Sequence, residues 1–205
     1  YGVVMDAWAK AKDPMAPEHA SRLLEETWKI YKGGDKTIFP SIMNYVSLMH
    51  AWSESGRPDA GKKAESILSE MWKLHESHPE LNIKPNYRCY TAVMNAWAKS
   101  NDPKCAEHAS RLLEEMWRRY KEDGDKDLAP NDFSYAIMID AWSKSSSPDA
   151  GKKAEGVLSE MWKMHESHPE LIFKPNYKCY GAVMNAWAKS NDPECTENAS
   201  RLLEE

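Results

Sequence analysis

An Ala-Trp pair recurs five times along the chain, at Trp8, Trp52, Trp97, Trp142 and Trp187, at intervals of 44 or 45 residues. A second ladder, Trp28, Trp72, Trp117 and Trp162, runs between them at the same period. All nine tryptophans therefore sit on one repeating unit. A period of this size, in a chain whose pattern is helical throughout, predicts stacked helical hairpins and not a closed globule around one core.

The third unit serves as the type. Tyr90, Val93, Met94 and Trp97 fall at i, i+3, i+4 and i+7, an apolar helical stripe. Ser100-Asn101-Asp102-Pro103 then breaks the chain, and Asp102 with Pro103 is expected to cap and open the next helix. Ala109, Leu112, Leu113, Met116, Trp117 and Tyr120 restore the 3.6-residue period. From Glu122 a polar stretch with Gly and Pro forms a linker. Units are read as 1–41 (truncated), 42–86, 87–131, 132–176 and 177–205 (truncated), one array over the whole chain. Residues 81–115 and 171–205 differ at only seven places, so a two-unit block has been duplicated.

The first residues match the interior of a later unit, and the last stop where an earlier copy continues. A segment of a longer array is the expectation, and its uncapped apolar ends would permit two such segments to pair. No apolar run is long enough to span a bilayer. The four cysteines, Cys89, Cys105, Cys179 and Cys195, repeat one spacing and read as reduced thiols, not as a disulfide framework. His75/His78 and His165/His168 stand at i and i+3 in HESHPE. They lack the spacing and third ligand of a metal site, and a helix end before Pro79 and Pro169 explains them better. No catalytic set and no glycine-rich phosphate loop is present, so neither an enzyme nor a cofactor is expected.

Pro85-Asn86-Tyr87-Arg88-Cys89-Tyr90-Thr91-Ala92-Val93-Met94-Asn95-Ala96-Trp97-Ala98-Lys99 resembles the first helix of a pentatricopeptide repeat, and Ala109 to Met116 resembles its second. The likeness covers the chain in five copies. It departs in length, with residues added in the turn and after Met116. The tetratricopeptide repeat is the nearest rival, but its W-x2-L-G-x2-Y helix is not what Tyr90 to Trp97 spells. The resemblance implies an all-α fold, a right-handed α-solenoid of stacked helix-turn-helix repeats. It also implies single-stranded RNA as partner, one nucleotide per repeat, and work in a mitochondrion or chloroplast on RNA processing, stability or translation.

With 27 Lys+Arg against 32 Asp+Glu the net charge is −5, so no global basic field draws in nucleic acid. The charge distribution tells more. Opposite the apolar stripe each first helix carries a second stripe: Gly2-Asp6-Lys10, Val46-His50-Glu54, Thr91-Asn95-Lys99, Ala136-Asp140-Lys144 and Gly181-Asn185-Lys189. Met43, Arg88, Phe133 and Lys178 extend four of them by a turn. These positions hold six cations and three anions, a net +3, which leaves −8 for the remainder. Such a surface suits phosphates flanking unstacked bases.

By resemblance, bases are read by pairs: Gly2 with Ser41, Val46 with Asn86, Thr91 with Asn131, and Ala136 with Asn176, while Gly181 lacks a mate. Only Thr91 with Asn131 looks like a base-reading pair of that family, and by analogy it favours adenine. Met43, Arg88, Phe133 and Lys178 would sandwich bases. Lys10, Lys99, Lys144 and Lys189 match the phosphate-facing lysine, and Glu54 breaks that row. Two plainer readings stand beside these. Ser41, Asn86, Asn131 and Asn176 are where helix N-caps belong, and the lysines suit solvated helix C-termini. A protein-binding or scaffolding solenoid with little RNA readout is the alternative function.

Overall fold

A computed structural model describes residues 2–11, 13–145, 147–171, 173–190 and 192–202, so residue 1 of the first repeat and residues 203–205 of the last lie outside the described residues. Among the described residues the chain is all-α, with ten α-helices and no strand. They are α1 (Gly2–Lys10), α2 (Ala16–Lys32), α3 (Ile42–Glu54), α4 (Ala60–Ser77), α5 (Tyr87–Lys99), α6 (Cys105–Asp123), α7 (Asp132–Lys144), α8 (Ala150–Ser167), α9 (Tyr177–Lys189) and α10 (Cys195–Arg201). Short 3-10 turns occupy Pro79–Leu81 and Lys126–Leu128. The odd-numbered helices lead each repeat and the even-numbered ones trail. Leading helices α3, α5, α7 and α9 start at the residues from which the repeats were counted.

The chain forms two compact units, residues 1–100 and 101–205. In the first, α1 packs on α2 and α3, and α3 packs on α2, α4 and α5, with α4 against α5. In the second, α6 packs on α7, α7 on α8 and α9, α8 on α9, and α9 on α10. Each unit is thus repeat-like: a leading helix lies against the next leading helix, with trailing helices behind them.

Local chemistry sets the helix starts. The Asn86 side chain accepts from the Arg88 backbone N–H at 3.0 Å, Asn131 from Ser134 at 3.1 Å, and Asn176 from Lys178 at 2.9 Å. Each satisfies a donor that an α-helix leaves orphaned in its first turn. At α3 the arrangement is reciprocal, and Asn44 accepts from the Ser41 N–H at 2.8 Å. The expected capping of the trailing helix by Asp102 is corrected. Its carboxylate accepts from the Lys104 N–H at 2.8 Å, in a turn that precedes α6, whose own first residue is Cys105. Asp13 and Asp192 build the same turn on Met15 and Glu194. An Asp-Pro-X sequence lets the carboxylate reach two residues on, which makes an Asx turn before the helix begins.

Between hairpins, the trailing-helix indole donates to a tyrosine of the next leading helix. Trp28 reaches Tyr45 at 3.0 Å, Trp72 reaches Tyr90 at 3.1 Å, Trp117 reaches Tyr135 at 2.9 Å, and Trp162 reaches Tyr180 at 3.1 Å. Tyr45, Tyr90 and Tyr135 are fully buried, so the bond supplies the partner that a phenol in the core requires. Each such bond contributes about 1 kcal/mol net, and more is lost if one partner is left buried alone.

The leading-helix indoles are sealed differently. Trp97 and Trp187 lie flat on Gly61 and Gly151, where an added Cβ would stand 2.3 Å and 2.5 Å from the rings. Their N–H groups donate to Glu65 at 3.0 Å and Glu155 at 2.8 Å. Trp52 carries Arg57 over its face at 4.8 Å, and Trp142 carries Lys153 at 4.4 Å. The two-repeat alternation in sequence is thus an alternation in how the indole is covered. Not every tryptophan is core: Trp162 is 37% exposed.

Candidate functional site

The surface to test is the side of the leading helices away from these indoles. In the first unit it carries Gly2, Asp6 and Lys10 of α1, His50 and Glu54 of α3, and Thr91, Asn95 and Lys99 of α5. Val46 shares the stripe by number, yet it is only 4% exposed. With α1 and α5 packed on the two sides of α3, its position belongs to the core and offers nothing to a ligand. In the second unit the same face carries Ala136, Asp140 and Lys144 of α7, and Gly181, Asn185 and Lys189 of α9.

The lysine row is largely neutralised. Lys10 pairs with Asp6 at 2.7 Å and Lys144 with Asp140 at 2.5 Å, each within one helix at i, i+4. Lys99 reaches from α5 to Glu54 of α3 at 2.5 Å, the same position one repeat earlier. Lys189 donates instead to the Ser143 carbonyl at 3.3 Å, at the C-terminal end of α7, where the helix dipole favours a cation. The three anions of the stripe are therefore the partners of three of its lysines. The Asp6/Lys10 and Asp140/Lys144 pairs were readable from spacing. The Glu54/Lys99 pair depends on hairpin stacking and was not.

His50 reaches solvent between these charges. Desolvation, reinforced by Lys99, holds its imidazole below the ordinary pKa against the pull of Glu54 and Asp6.

One turn earlier the face is chemically different. Met43 is 51% exposed and Phe133 66% exposed, both at the start of their helices. Arg88 is exposed with its guanidinium 5.6 Å from the Tyr87 ring, and Lys178 is exposed with its amine 6.0 Å from the Tyr177 ring. Each unit so carries one apolar platform, on α3 or α7, and one cation resting on a tyrosine, on the adjacent α5 or α9.

The residues proposed to close each base site are the helix caps described above. Asn86, Asn131 and Asn176 use their side-chain oxygens on backbone N–H groups, while an amide so engaged keeps its NH2 group as a donor. Ser41 spends its hydroxyl on Asn44 at 2.9 Å. The Thr91 hydroxyl bonds back to the Arg88 carbonyl at 3.1 Å and keeps its acceptor capacity. Thr91 lies in the first unit and Asn131 in the second.

The histidines of HESHPE are used structurally. His78 pairs with Glu80 at 3.2 Å, and His75 and His165 stand edge-on to Trp72 and Trp162 at 6.0 Å and 5.9 Å. Among the described residues no group of three His, Cys, Asp or Glu could hold a metal ion. No described helix is long and apolar enough to cross a membrane. Burial pushes the Cys89 thiol up to about 11, so it is a packing residue and not a nucleophile. No family model, curated protein or solved structure matches this chain.

Proposed function

We propose that this chain is a pentatricopeptide-type module, a right-handed solenoid of long repeats, that binds single-stranded RNA along its leading helices. The observation that carries this reading is the first turn of those helices. Met43, Arg88, Phe133 and Lys178 are all exposed there, two as apolar platforms and two as cations set on tyrosine rings. Planar or cationic supports of this kind are what unstacked bases rest on. Around them stand the cap amides of Asn86, Asn131 and Asn176, with the half-buried Thr91, Ala136 and Gly181 as neighbours along the stripe. Gly2 and Ser41 would serve the first repeat. The resemblance carries the rest: about one nucleotide per repeat, and a place in mitochondrial or chloroplast RNA metabolism.

The electrostatics sets the strength. Arg88, Lys178 and Lys189 have no carboxylate partner among the described residues, whereas Lys10, Lys99 and Lys144 must exchange one. Three cations that need exchange no carboxylate predict a slope of log K against log salt of about −2, at about 0.7 per phosphate contact on a single strand. Binding of a random-sequence RNA across a salt series measures this. No binding at low salt would retire the proposal. The paired lysines favour one other reading, a protein-interaction scaffold that keeps the repeat and reads no RNA, and that outcome would support it.

A further inference from the structure

Beside the α3 platform the first unit holds a hollow of about 500 Å³, lined among others by Tyr31, Lys36, Phe39, Ser41, Met43 and Glu80. Its walls include the stretches that follow two successive trailing helices, the linker after α2 and the tail after α4, where these repeats run longer than the family they resemble. The duplicated block makes the corresponding place differently. There the Tyr120 hydroxyl bonds Glu170 at 3.0 Å and His168 lies against Trp117 and Tyr120, with ring centroids 5.2 Å and 6.3 Å away. In the first unit Glu80 turns instead to His78, and Tyr31 is covered by Lys36, whose amine lies 3.7 Å from the ring centroid.

A sequence difference accompanies this. The linker from Trp28 to Tyr45 is one residue shorter than that from Trp117 to Tyr135 and carries Phe39 where the other has Ala129. Phe39 is 49% exposed, while Ala129 is 6% exposed. An aromatic side chain that could have been a buried alanine faces an open hollow of the size that small ligands occupy.

We propose that this hollow takes one unstacked nucleobase, an inference that rests on the RNA-binding reading of the adjoining face. Ser41 and Met43 belong both to the hollow and to that face, so a strand lying on α3 could turn one base inward without leaving its path. Phe39 supplies the face on which a base stacks, and Lys36, whose amine rests on the Tyr31 ring, supplies a cation for its phosphate. Glu80 is an acceptor-only group, so it selects a base edge with adjacent N–H donors, as guanine presents.

The test uses the whole chain with two probes, a single-stranded G-containing RNA and free guanosine 5′-monophosphate, measured by calorimetry and NMR. Phe39→Ala should weaken both by roughly 5- to 100-fold, the range for loss of one stacked base, and Phe39→Trp should restore binding. The nucleotide should bind better than its adenine counterpart, and Glu80→Gln should narrow that difference; equal binding of the two by the unsubstituted chain overturns the role given to Glu80. RNA binding that Phe39→Ala leaves unchanged overturns the hollow as a base site while sparing the groove. Nucleotide binding that depends on Phe39, without RNA binding, upholds the hollow and retires the groove. Binding of neither probe overturns both.

Discussion

Replacing Gly61 with alanine tests the packing on which the repeat depends. The new Cβ would stand 2.3 Å from Trp97 Cδ2, well inside the 3.5–4.0 Å at which carbon atoms attract. The opposing atoms are a ring sealed at 2% exposure, which cannot swing aside. The ring must retreat by about 1 Å, and it then loses its 3.0 Å bond to Glu65. Overpacking costs about 1–3 kcal/mol and the lost bond about 1 kcal/mol. Replacing a helical glycine returns about 1 kcal/mol. The net is a destabilisation of about 1–3 kcal/mol, read by urea denaturation or as a fall in Tm of about 2–4 °C per kcal/mol. Gly156 is the control: it lies in α8 with nothing within 4 Å of an added Cβ, so Gly156→Ala should stabilise by about 0.4–1 kcal/mol. If Gly61→Ala stabilises as Gly156→Ala does, the indole does not seat on that glycine and the reasoning is wrong.

Tyr135→Phe should cost about 1–3 kcal/mol in denaturation, because the Trp117 N–H is left buried without its acceptor; no loss would show the bond to be idle. Burial raises the Tyr45 phenol to about 12, so the fold favours its neutral form. That contribution is intact below about pH 10 and is lost at about 1.4 kcal/mol per pH unit between 10 and 12. Absorbance titration should accordingly find Tyr45 un-ionised at pH 11 in the folded chain, and a single tyrosine transition near 10 would contradict this. Glu54→Gln releases Lys99 and removes a charge that repels phosphate. RNA affinity should rise and the salt slope steepen by about 0.7, with stability changing by no more than about 1 kcal/mol, since the pair is partly exposed; unaltered affinity would argue that Lys99 meets no phosphate.

The helices were legible because a 3.6-residue stripe and Pro-Asn or Pro-Ser starts are local properties. Ile42, Tyr87, Asp132 and Tyr177 each begin a helix for reasons within a few residues. Asp102 was misplaced because both an Asx turn and an N-cap use the same side chain, and only the backbone after Pro103 separates them. The tryptophans could be assigned to apolar stripes but not to partners. The Trp117–Tyr135 bond spans 18 residues and exists only once the next hairpin has docked. Val46 shows the same limit from the other side: its position is outward on a lone helix and covered when α1 and α5 flank it. Counting charges found the cations and anions of the face, while the Glu54–Lys99 pairing emerged only from the packing of α3 on α5.

The most direct measurement is photocrosslinking of bound single-stranded RNA followed by peptide mapping. Adducts are expected in the first turns of α3, α5, α7 and α9, at Met43, Arg88, Phe133 and Lys178. Adducts confined to the trailing helices α4 and α8, or none at saturating RNA, would contradict it.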